Sequence, residues 1–386
     1  MKAGWEAVRL SDVCAFKPPK AEARKRLAET DMVSFAPMED LSVDQKYLKP
    51  SSVKPLGSVA GSYTYFADGD VLLAKITPCF ENGKLGIARD LKNGVGFGSS
   101  EYFVIRPSNR LTADYLYYFL SQPSFREAGA LSMTGAVGHK RVAKDFLEEH
   151  VIPLPPLSEQ QRIVAILDEA FAGVATARAA VEQNRQNARA LFESHLQSVF
   201  SQRGEGWVKT TIDKISTNLD NKRIPITKSD RKAGKYPYYG ASGIVDYVEG
   251  YIFDGDTLLV SEDGANLLAR STPIAFSVTG KYWVNNHAHI LKFENMATQR
   301  FVEFYFASIR LDEYITGAAQ PKLNQKALNS IPIPIPTAVE MQAEIVERIE
   351  SMQEETQRLE ALYQRKLDAL DELKQSLLHQ AFSGNL

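Results

Sequence analysis

The chain has few cysteines and lacks any long apolar run. Cys14 and Cys79 are the two cysteines among 386 residues, which argues against a disulfide framework and fits a reducing compartment. The sequence contains no run of 18 apolar residues and no basic N-terminus followed by an apolar stretch. Neither a membrane span nor a secretory signal is therefore expected. We expect a cytoplasmic protein without a membrane partner.

Two motifs of nucleotide-using and methyl-transferring enzymes are also missing. The sequence contains no Gly-x-x-x-x-Gly-Lys-Ser/Thr loop, whose backbone amides would cradle phosphates. It also contains no Asn/Asp-Pro-Pro-Tyr/Phe motif of the kind that methyltransferases use. We therefore expect the chain to hold no cofactor of its own and to be non-catalytic.

The formal net charge of −2 hides an uneven distribution. Residues 1–150 carry 20 basic and 18 acidic side chains, and residues 206–330 carry 15 and 13, so each stretch has a net charge of +2. Residues 331–386 carry 5 basic and 10 acidic side chains, which gives −5. This distribution permits nucleic-acid binding by the mildly basic parts without demonstrating it.

The chain contains a long internal repeat that ends in two helical patterns. A Pro-rich segment precedes each pattern, at 152–156 and 331–336. From Ile163 to Ser201 and from Ile345 to Ser383 the offset stays at 182 residues. A period this long indicates a duplicated domain rather than a solenoid. We predict two equal helices of about 40 residues, roughly 60 Å long at ~1.5 Å per residue.

The repeat extends into the segments before each helix. Trp5–Val13 parallels Trp207–Ile215, and Tyr102–Arg106 parallels Ala288–Lys292. Short β-rich runs between Gly, Asp and Asn turns predict strands, with helices at 113–120 and 298–309. We predict an α+β protein with two globular α/β domains and a pseudo-two-fold repeat. The expected regions are 1–151 (first domain), 152–203 (first helix), 204–330 (second domain) and 331–386 (second helix).

Apolar residues along both helical patterns alternate steps of three and four, which is typical of a coiled-coil seam. Ser158, with Gln161 three residues later, predicts a capping box at the first helix start. A lone amphipathic helix of this length needs a partner. The other helix is the nearest candidate, and the helix's own domain is the alternative. The predicted seams are Val164, Leu167, Phe171, Val174, Arg178, Val181, Arg185 and Ala188, and Ile345, Ile349, Met352, Thr356, Leu359, Tyr363, Lys366, Leu370, Leu373 and Leu377.

Taken together, these residues resemble the specificity (S) subunit of type I restriction–modification systems over essentially the whole chain. The Ile-Pro-x-Pro-Pro-Leu-x-Glu-Gln-x-x-Ile-Val entry at 152–164 is the most specific signature. The segment 77–84 looks like a loop of one class of such recognition domains, and 262–266 and 283–289 look like loops of another.

The resemblance implies two target-recognition domains separated by two long antiparallel coiled-coil helices. Each domain would read one half of a split, asymmetric sequence in double-stranded DNA, and the helices would set the spacing. Two methyltransferase (M) subunits would bring S-adenosylmethionine chemistry, and restriction (R) subunits would bring ATP- and Mg²⁺-dependent translocation and cleavage.

Polar loop residues are the candidates for contact with DNA. Arg, Lys, Asn, Gln, Asp and Glu can pair with base edges, while cations and backbone amides bind phosphates. Any single one could equally be a turn residue or a solvated surface residue. The first domain offers Lys75, Thr77, Glu81, Asn82, Lys84, Thr134, Gly135, His139, Lys140 and Arg141. The second offers Tyr239, Ser242, Glu262, Asn266, Arg270, Asn285, Asn286, His287, Gln320 and Lys322.

Three other interpretations have weaker support. His287 and His289 would share one face of a strand, but the sequence suggests no third ligand, so we expect no metal site. The acids around Asp70 and Glu262 suggest a metal-dependent nuclease with duplicated domains, yet turns and surface loops explain them more simply. A structural or toxin-regulating coiled-coil protein is the remaining alternative.

Overall fold

The computed structural model describes residues 2, 4–43, 45–136, 138–201, 204–317 and 319–386. Residues 202 and 203, where the first helix region is predicted to end, lie outside these ranges. The chain forms two compact units. Unit 1 combines Met1–Val181 with Arg365–Leu386, and unit 2 is Glu182–Gln364. Each unit therefore contains a globular part and portions of both long helices.

Unit 1 begins with a mixed α+β globular part. Its strands are β1 (Glu6–Arg9), β2 (Cys14–Phe16), β3 (Met32–Ala36), β4 (Ser52–Pro55), β5 (Thr64–Ala67), β6 (Val71–Ala74), β7 (Leu85–Ile87), β8 (Val95–Gly98), β9 (Tyr102–Pro107) and β10 (Val151–Leu154). Its helices are α1 (Leu10–Val13), α2 (Ala21–Arg26), α3 (Leu56–Val59), α4 (Ala113–Leu120), α5 (Pro123–Leu131) and α6 (Lys144–Glu149), followed by the long α7 (Leu157–Ser201).

The globular part of unit 2 has the same order of strands. These are β11 (Trp207–Thr211), β12 (Thr217–Asn218), β13 (Ala233–Gly240), β14 (Gly243–Val248), β15 (Phe253–Asp254), β16 (Thr257–Ser261), β17 (Ala275–Val278), β18 (Lys281–Val284), β19 (Ala288–Lys292) and β20 (Pro332–Pro336). The helices are α8 (Ile212–Ile215), α9 (Asn266–Ala269), α10 (Met296–Ser308), α11 (Gln325–Ser330) and the long α12 (Val339–Ser383).

The sheets of the two units have one topology. Unit 1 contains the sheets β2-β9-β6-β7, β4-β3-β8-β5 and β1-β10, and unit 2 contains β12-β19-β16-β17, β14-β13-β18-β15 and β11-β20. Even the parallel pairs correspond, because β3 pairs with β8 as β13 pairs with β18. The predicted α+β class and duplication are therefore confirmed. Apolar faces of these sheets form the buried cores.

The Pro-rich segments form strands in two-stranded sheets. Each such strand has one unpaired edge, so a proline, which lacks an N–H group, is tolerated there. In β20 the prolines alternate with Ile333 and Ile335, whose side chains are buried. Because proline restricts φ, these extended segments fix the direction in which the chain enters each long helix.

The two long helices are equally long, as predicted. Each has 45 residues, and the 182-residue offset holds at both ends. The predicted capping box is wrong, because α7 begins at Leu157 and Ser158 lies inside its first turn. Buried side-chain amides two residues further on anchor the helix starts instead. Gln160 bonds Thr112 N, Arg110 O and Pro155 O, and Gln342 bonds Thr298 Oγ1 and Pro336 O.

Within each unit the helices pack both on each other and on the globular part. In unit 1, the Arg162 guanidinium donates to the Leu386 carbonyl, and the Arg178 guanidinium donates to Asp371. Later residues of α7 therefore contact earlier residues of α12. In unit 2, Arg185 bonds Gln364. The helices are therefore antiparallel within each unit, and both predicted partners contribute.

The coiled-coil seam predicted for α12 is wrong in its C-terminal half. Leu367, at 6% exposure, is the buried residue rather than Lys366, and Leu373 is 46% exposed. Lys374 takes the inner position, with its ammonium 5.4 Å from the Phe171 ring centroid. A straight helix has 3.6 residues per turn, so a pattern of alternating threes and fours drifts off the contact face.

Candidate nucleic-acid interface

In unit 1 the two predicted loops form one surface. Bridges of antiparallel β type join Ile76 and Thr134 to Arg141. The Thr77 amide donates to the Lys140 carbonyl at 3.0 Å, and the Val142 amide donates to the Lys75 carbonyl at 2.9 Å. We call residues 75–84, 134–136 and 138–141 the unit 1 loop surface.

Most side chains of the unit 1 loop surface point into solvent. Lys75 and Lys84 are partly covered, and their ammonium groups donate to the carbonyls of Ser100 and Met38. Arg141 forms a two-bond pair with Glu101 at 2.7 and 2.9 Å, which lowers the pKa of that carboxyl. Thr77 is half-buried and donates to Glu81 at 2.8 Å. The exposed members are Glu81, Asn82, Thr134, Gly135, His139, Lys140 and Arg141.

Glycine closes the turn in both units. Gly135 has a φ of +124°, and a Cβ there would lie 2.9 Å from the His139 carbonyl oxygen. Gly317 has a φ of +87°, and a Cβ would lie 2.5 Å from the Gln320 carbonyl oxygen. The absence of a side chain at Gly135 and Gly317 therefore lets each loop backbone approach itself closely.

In unit 2 four segments converge on an equivalent surface. Asp263 and Thr316 form antiparallel bridges to Lys322, as Ile76 and Thr134 do to Arg141. The Glu262 amide donates to the His287 carbonyl at 2.9 Å. The Ser261 hydroxyl donates to the Ala241 carbonyl. We call residues 241–242, 262–263, 285–287, 316–317 and 319–322 the unit 2 loop surface.

The predicted residues of the unit 2 loop surface divide into exposed and internal groups. Glu262 is 12% exposed and pairs with Arg223 at 2.6 Å and Lys322 at 3.2 Å. Burial opposes its ionisation, but these cations lower its pKa. Asn285 is buried and accepts from the His287 amide, and Tyr239 packs on the rings of Phe276 and Tyr282. The exposed members are Ser242, Asn286, His287, Gln320 and Lys322.

Asn266 and Arg270 belong to a different local structure. Asn266 closes its own loop, accepting from Ser271 and Thr272 and donating to the Thr272 carbonyl. The Arg270 guanidinium donates to the carbonyls of Phe306 and Ile309 at the end of α10. These contacts do not place either side chain with the unit 2 loop surface.

The predicted histidine pair contacts two different carboxylates. His287 is half-exposed and lies 2.8 Å from Asp263, whereas His289 is buried and lies 2.5 Å from Asp220. Asp220, Glu262 and His289 come together, in a geometry that could hold a metal ion. Arg223 and Lys322 already neutralise these two carboxylates, so the cluster is better described as an ion-pair network.

Comparison with known families identifies the duplicated architecture. The model of the type I restriction modification DNA specificity domain matches twice, over residues 2–182 and 204–367. The chain belongs to the type I restriction–modification DNA specificity family. Each globular part, with its two-stranded Pro-rich sheet, is thus part of one copy of the specificity domain.

Curated relatives have the same description. The specificity subunit of the type I restriction enzyme EcoEI of Escherichia coli is 43% identical over 162 residues, which is 42% of this chain and 27% of that protein. That of EcoAI is 40% identical over 162 residues and also spans 27% of its protein. That of MjaVIII of Methanocaldococcus jannaschii is 22% identical but spans 99% of this chain and 93% of that protein. The matched part thus covers about a quarter of the Escherichia coli proteins.

Solved structures share the fold. One chain, from work on complex assembly and conformational transition of the type I R-M system, has a TM-score of 0.83 at 18% identity and covers 100% of this chain and 99% of that chain. The HsdS subunit of Thermoanaerobacter tengcongensis has a TM-score of 0.66 at 18% identity, covering 100% and 98%. Among the described residues, no helix has a stretch apolar enough to cross a membrane.

The second specificity domain also carries a basic and aromatic patch that was not predicted from the sequence. The Lys235 and Lys281 ammonium groups lie 5.3 and 4.7 Å from the rings of Tyr236 and Tyr251, and these rings are 5.0 Å apart. We call these four residues the hairpin patch. Residues 232–239 combine two lysines and three tyrosines with Gly234 and Pro237, and this mixture of basic and aromatic residues is the signal that could have identified the hairpin patch.

Proposed function

We propose that this chain is the DNA-recognition subunit of a type I restriction–modification enzyme and is itself non-catalytic. Each specificity domain reads one half of a bipartite, asymmetric target in double-stranded DNA. Two methyltransferase subunits dock on it and supply S-adenosylmethionine chemistry. Restriction subunits supply the steps that need ATP and Mg²⁺, and the assembly works in the cytoplasm.

One observation carries this proposal: the two units keep the same strand order while their loop surfaces present different side chains. Unit 1 exposes Glu81, Asn82 and Arg141, whereas unit 2 exposes Asn286, His287 and Gln320. Base edges are distinguished by such hydrogen-bonding groups. Two readers on one scaffold with different side chains therefore favour two different half-sites.

A domain exchange tests the proposal. Residues 206–330 are replaced by the corresponding segment of another specificity protein, and the methylated motif is sequenced in cells that carry the methyltransferase partner. We expect one half of the motif to change and the other to persist. A change in both halves, or recovery of one continuous motif, argues against the proposal.

Among the described residues, the carboxylates of Asp70 and Glu262, on which the nuclease alternative depends, are paired with cations of the chain itself. Asp70, one of its carboxylates, is fully buried and held by two bonds from Arg106 at 2.6 and 2.8 Å. Glu262 is held by Arg223. DNA cleavage by the purified chain with Mg²⁺ and without partner subunits would revive that alternative.

A further inference from the structure

A buried histidine lies beneath the unit 2 loop surface. His289 on β19 is 1% exposed, with Nδ1 2.5 Å from the Asp220 carboxylate and Nε2 2.7 Å from the Leu323 carbonyl oxygen. Both partners accept hydrogen bonds. Both hydrogen bonds can form at the same time only when each ring nitrogen carries a proton, which is the imidazolium form of the side chain.

Charged side chains surround the His289 ring. Arg223 lies 3.7 Å from Asp220 and 2.6 Å from Glu262, and Glu262 lies 3.9 Å from His289. Lys322, half-exposed and 3.2 Å from Glu262, continues the network to the surface.

The same ring connects the segments that carry the predicted DNA contacts. Leu323 directly follows Lys322, and its amide donates to the Glu262 carbonyl at 2.8 Å. Asp220, on the other side of the ring, also accepts from the Ile290 amide at 2.8 Å. His289 thus ties the loop of Gln320 and Lys322 to the strand that follows Asn286 and His287.

Unit 1 fixes its loops differently. Phe103 occupies the position of His289 at the 186-residue offset of this part of the repeat. The Arg141 pair with Glu101 lies at the surface there. A phenylalanine ring cannot form the two hydrogen bonds of His289, so the matching position of unit 1 does not make this connection.

We propose that His289 is a positioning residue that, as an imidazolium, holds the Gln320–Lys322 loop against the Asn285–His287 turn for reading one half-site. This rests on the proposed DNA-recognition function. His289 contacts no base itself, and its effect is confined to the half-site of unit 2.

The first test is spectroscopic and needs no DNA. The full chain is labelled with ¹⁵N-histidine, and His289→Gln identifies the signal of this ring among six histidines. We expect both ring nitrogens to be protonated at pH 7. A neutral tautomer, with one unprotonated nitrogen, overturns the proposal whatever the variants do to folding.

The second test reads the methylated motif in cells with the methyltransferase partner. His289→Gln and His289→Phe should lower discrimination at the unit 2 half about tenfold, as loss of one base contact does, and leave the other half unchanged. Ile290→Ala, at the next buried position, is the control for lost stability and should change neither half. Equal effects on both halves, or none, overturn the proposal. A wild-type motif that is not bipartite instead overturns the proposed function.

Discussion

At the residue scale, a buried glutamine fixes the start of each long helix. Gln160 is 0% exposed and Gln342 is 4% exposed, and both bond the carbonyl of a proline in the preceding segment. The sequence pattern points to this turn but not to the residue responsible, because a capping box needs local spacing alone. The Gln160 bonds to Arg110 and Thr112 depend on tertiary structure.

Removing this amide should destabilise unit 1 specifically. Gln160→Ala leaves the Thr112 amide and two carbonyls without their partner, which costs about 2–3 kcal/mol. Gln161→Ala, at the exposed neighbouring position, is the control and should cost far less. Hydrogen exchange measures the difference: Gln160→Ala should lower the protection of amides in α4 but not in α10. Equal protection of α4 in Gln160→Ala and Gln161→Ala contradicts the assignment.

Asp220 should make unit 2 sensitive to acid. Burial opposes its ionisation, but the hydrogen bond and charge of His289 and the Ile290 amide outweigh burial and lower its pKa. A lowered acid pKa gives stability above the unfolded value, about 3.9, that is lost as the pH falls through the native value. The urea midpoint should therefore fall between pH 5 and 3 less steeply for Asp220→Asn than for wild type. Asp254→Asn, at an exposed carboxyl, should follow wild type.

At the element scale, the C-terminal end of each long helix packs on the globular part of the other copy. Phe382 of α12 contacts Tyr115 and Phe119 in unit 1, with centroids 4.9 and 5.4 Å apart. Phe200 of α7 contacts Phe301 and Tyr305 in unit 2, at 5.2 and 5.4 Å. The repeated helix end was visible in the sequence, but which copy it contacts was not, since periodicity carries no information on partners.

These two phenylalanines form a matched pair of tests. Phe382→Ala should destabilise unit 1 and Phe200→Ala unit 2, each by about 3–4 kcal/mol, because a large buried ring is lost. Each variant is the control for the other. Phe382→Ala should speed hydrogen exchange in α4 but not in α10, and Phe200→Ala should speed it in α10 but not in α4. The reverse pattern contradicts the assignment.

The hairpin patch should contribute affinity without sequence preference. Lys235→Gln and Lys281→Gln should each reduce the slope of log affinity against log salt by about one, because a phosphate contact releases a counterion. Each substitution should lower the affinity for targets with altered half-sites by the same factor as for the intact target. Lys326→Gln, at an exposed lysine on α11, is the control, and a loss that depends on sequence contradicts phosphate contact.

At the scale of the whole molecule, the sequence predicted what the duplication preserves. Helix length, the Pro-rich entries and the α+β class follow from constant offsets and local patterns. The convergence of separate loops did not follow, because long-range pairings such as Asp263 with Lys322 leave no local signal. Internal partners for Glu262 and Arg270 were hidden for the same reason.

The two units should read different half-sites of one target. Methylome sequencing of cells that carry this chain with its methyltransferase partner tests it most directly. We predict a bipartite, asymmetric motif whose halves are separated by unread bases. A single continuous motif, or two identical halves, would contradict the account.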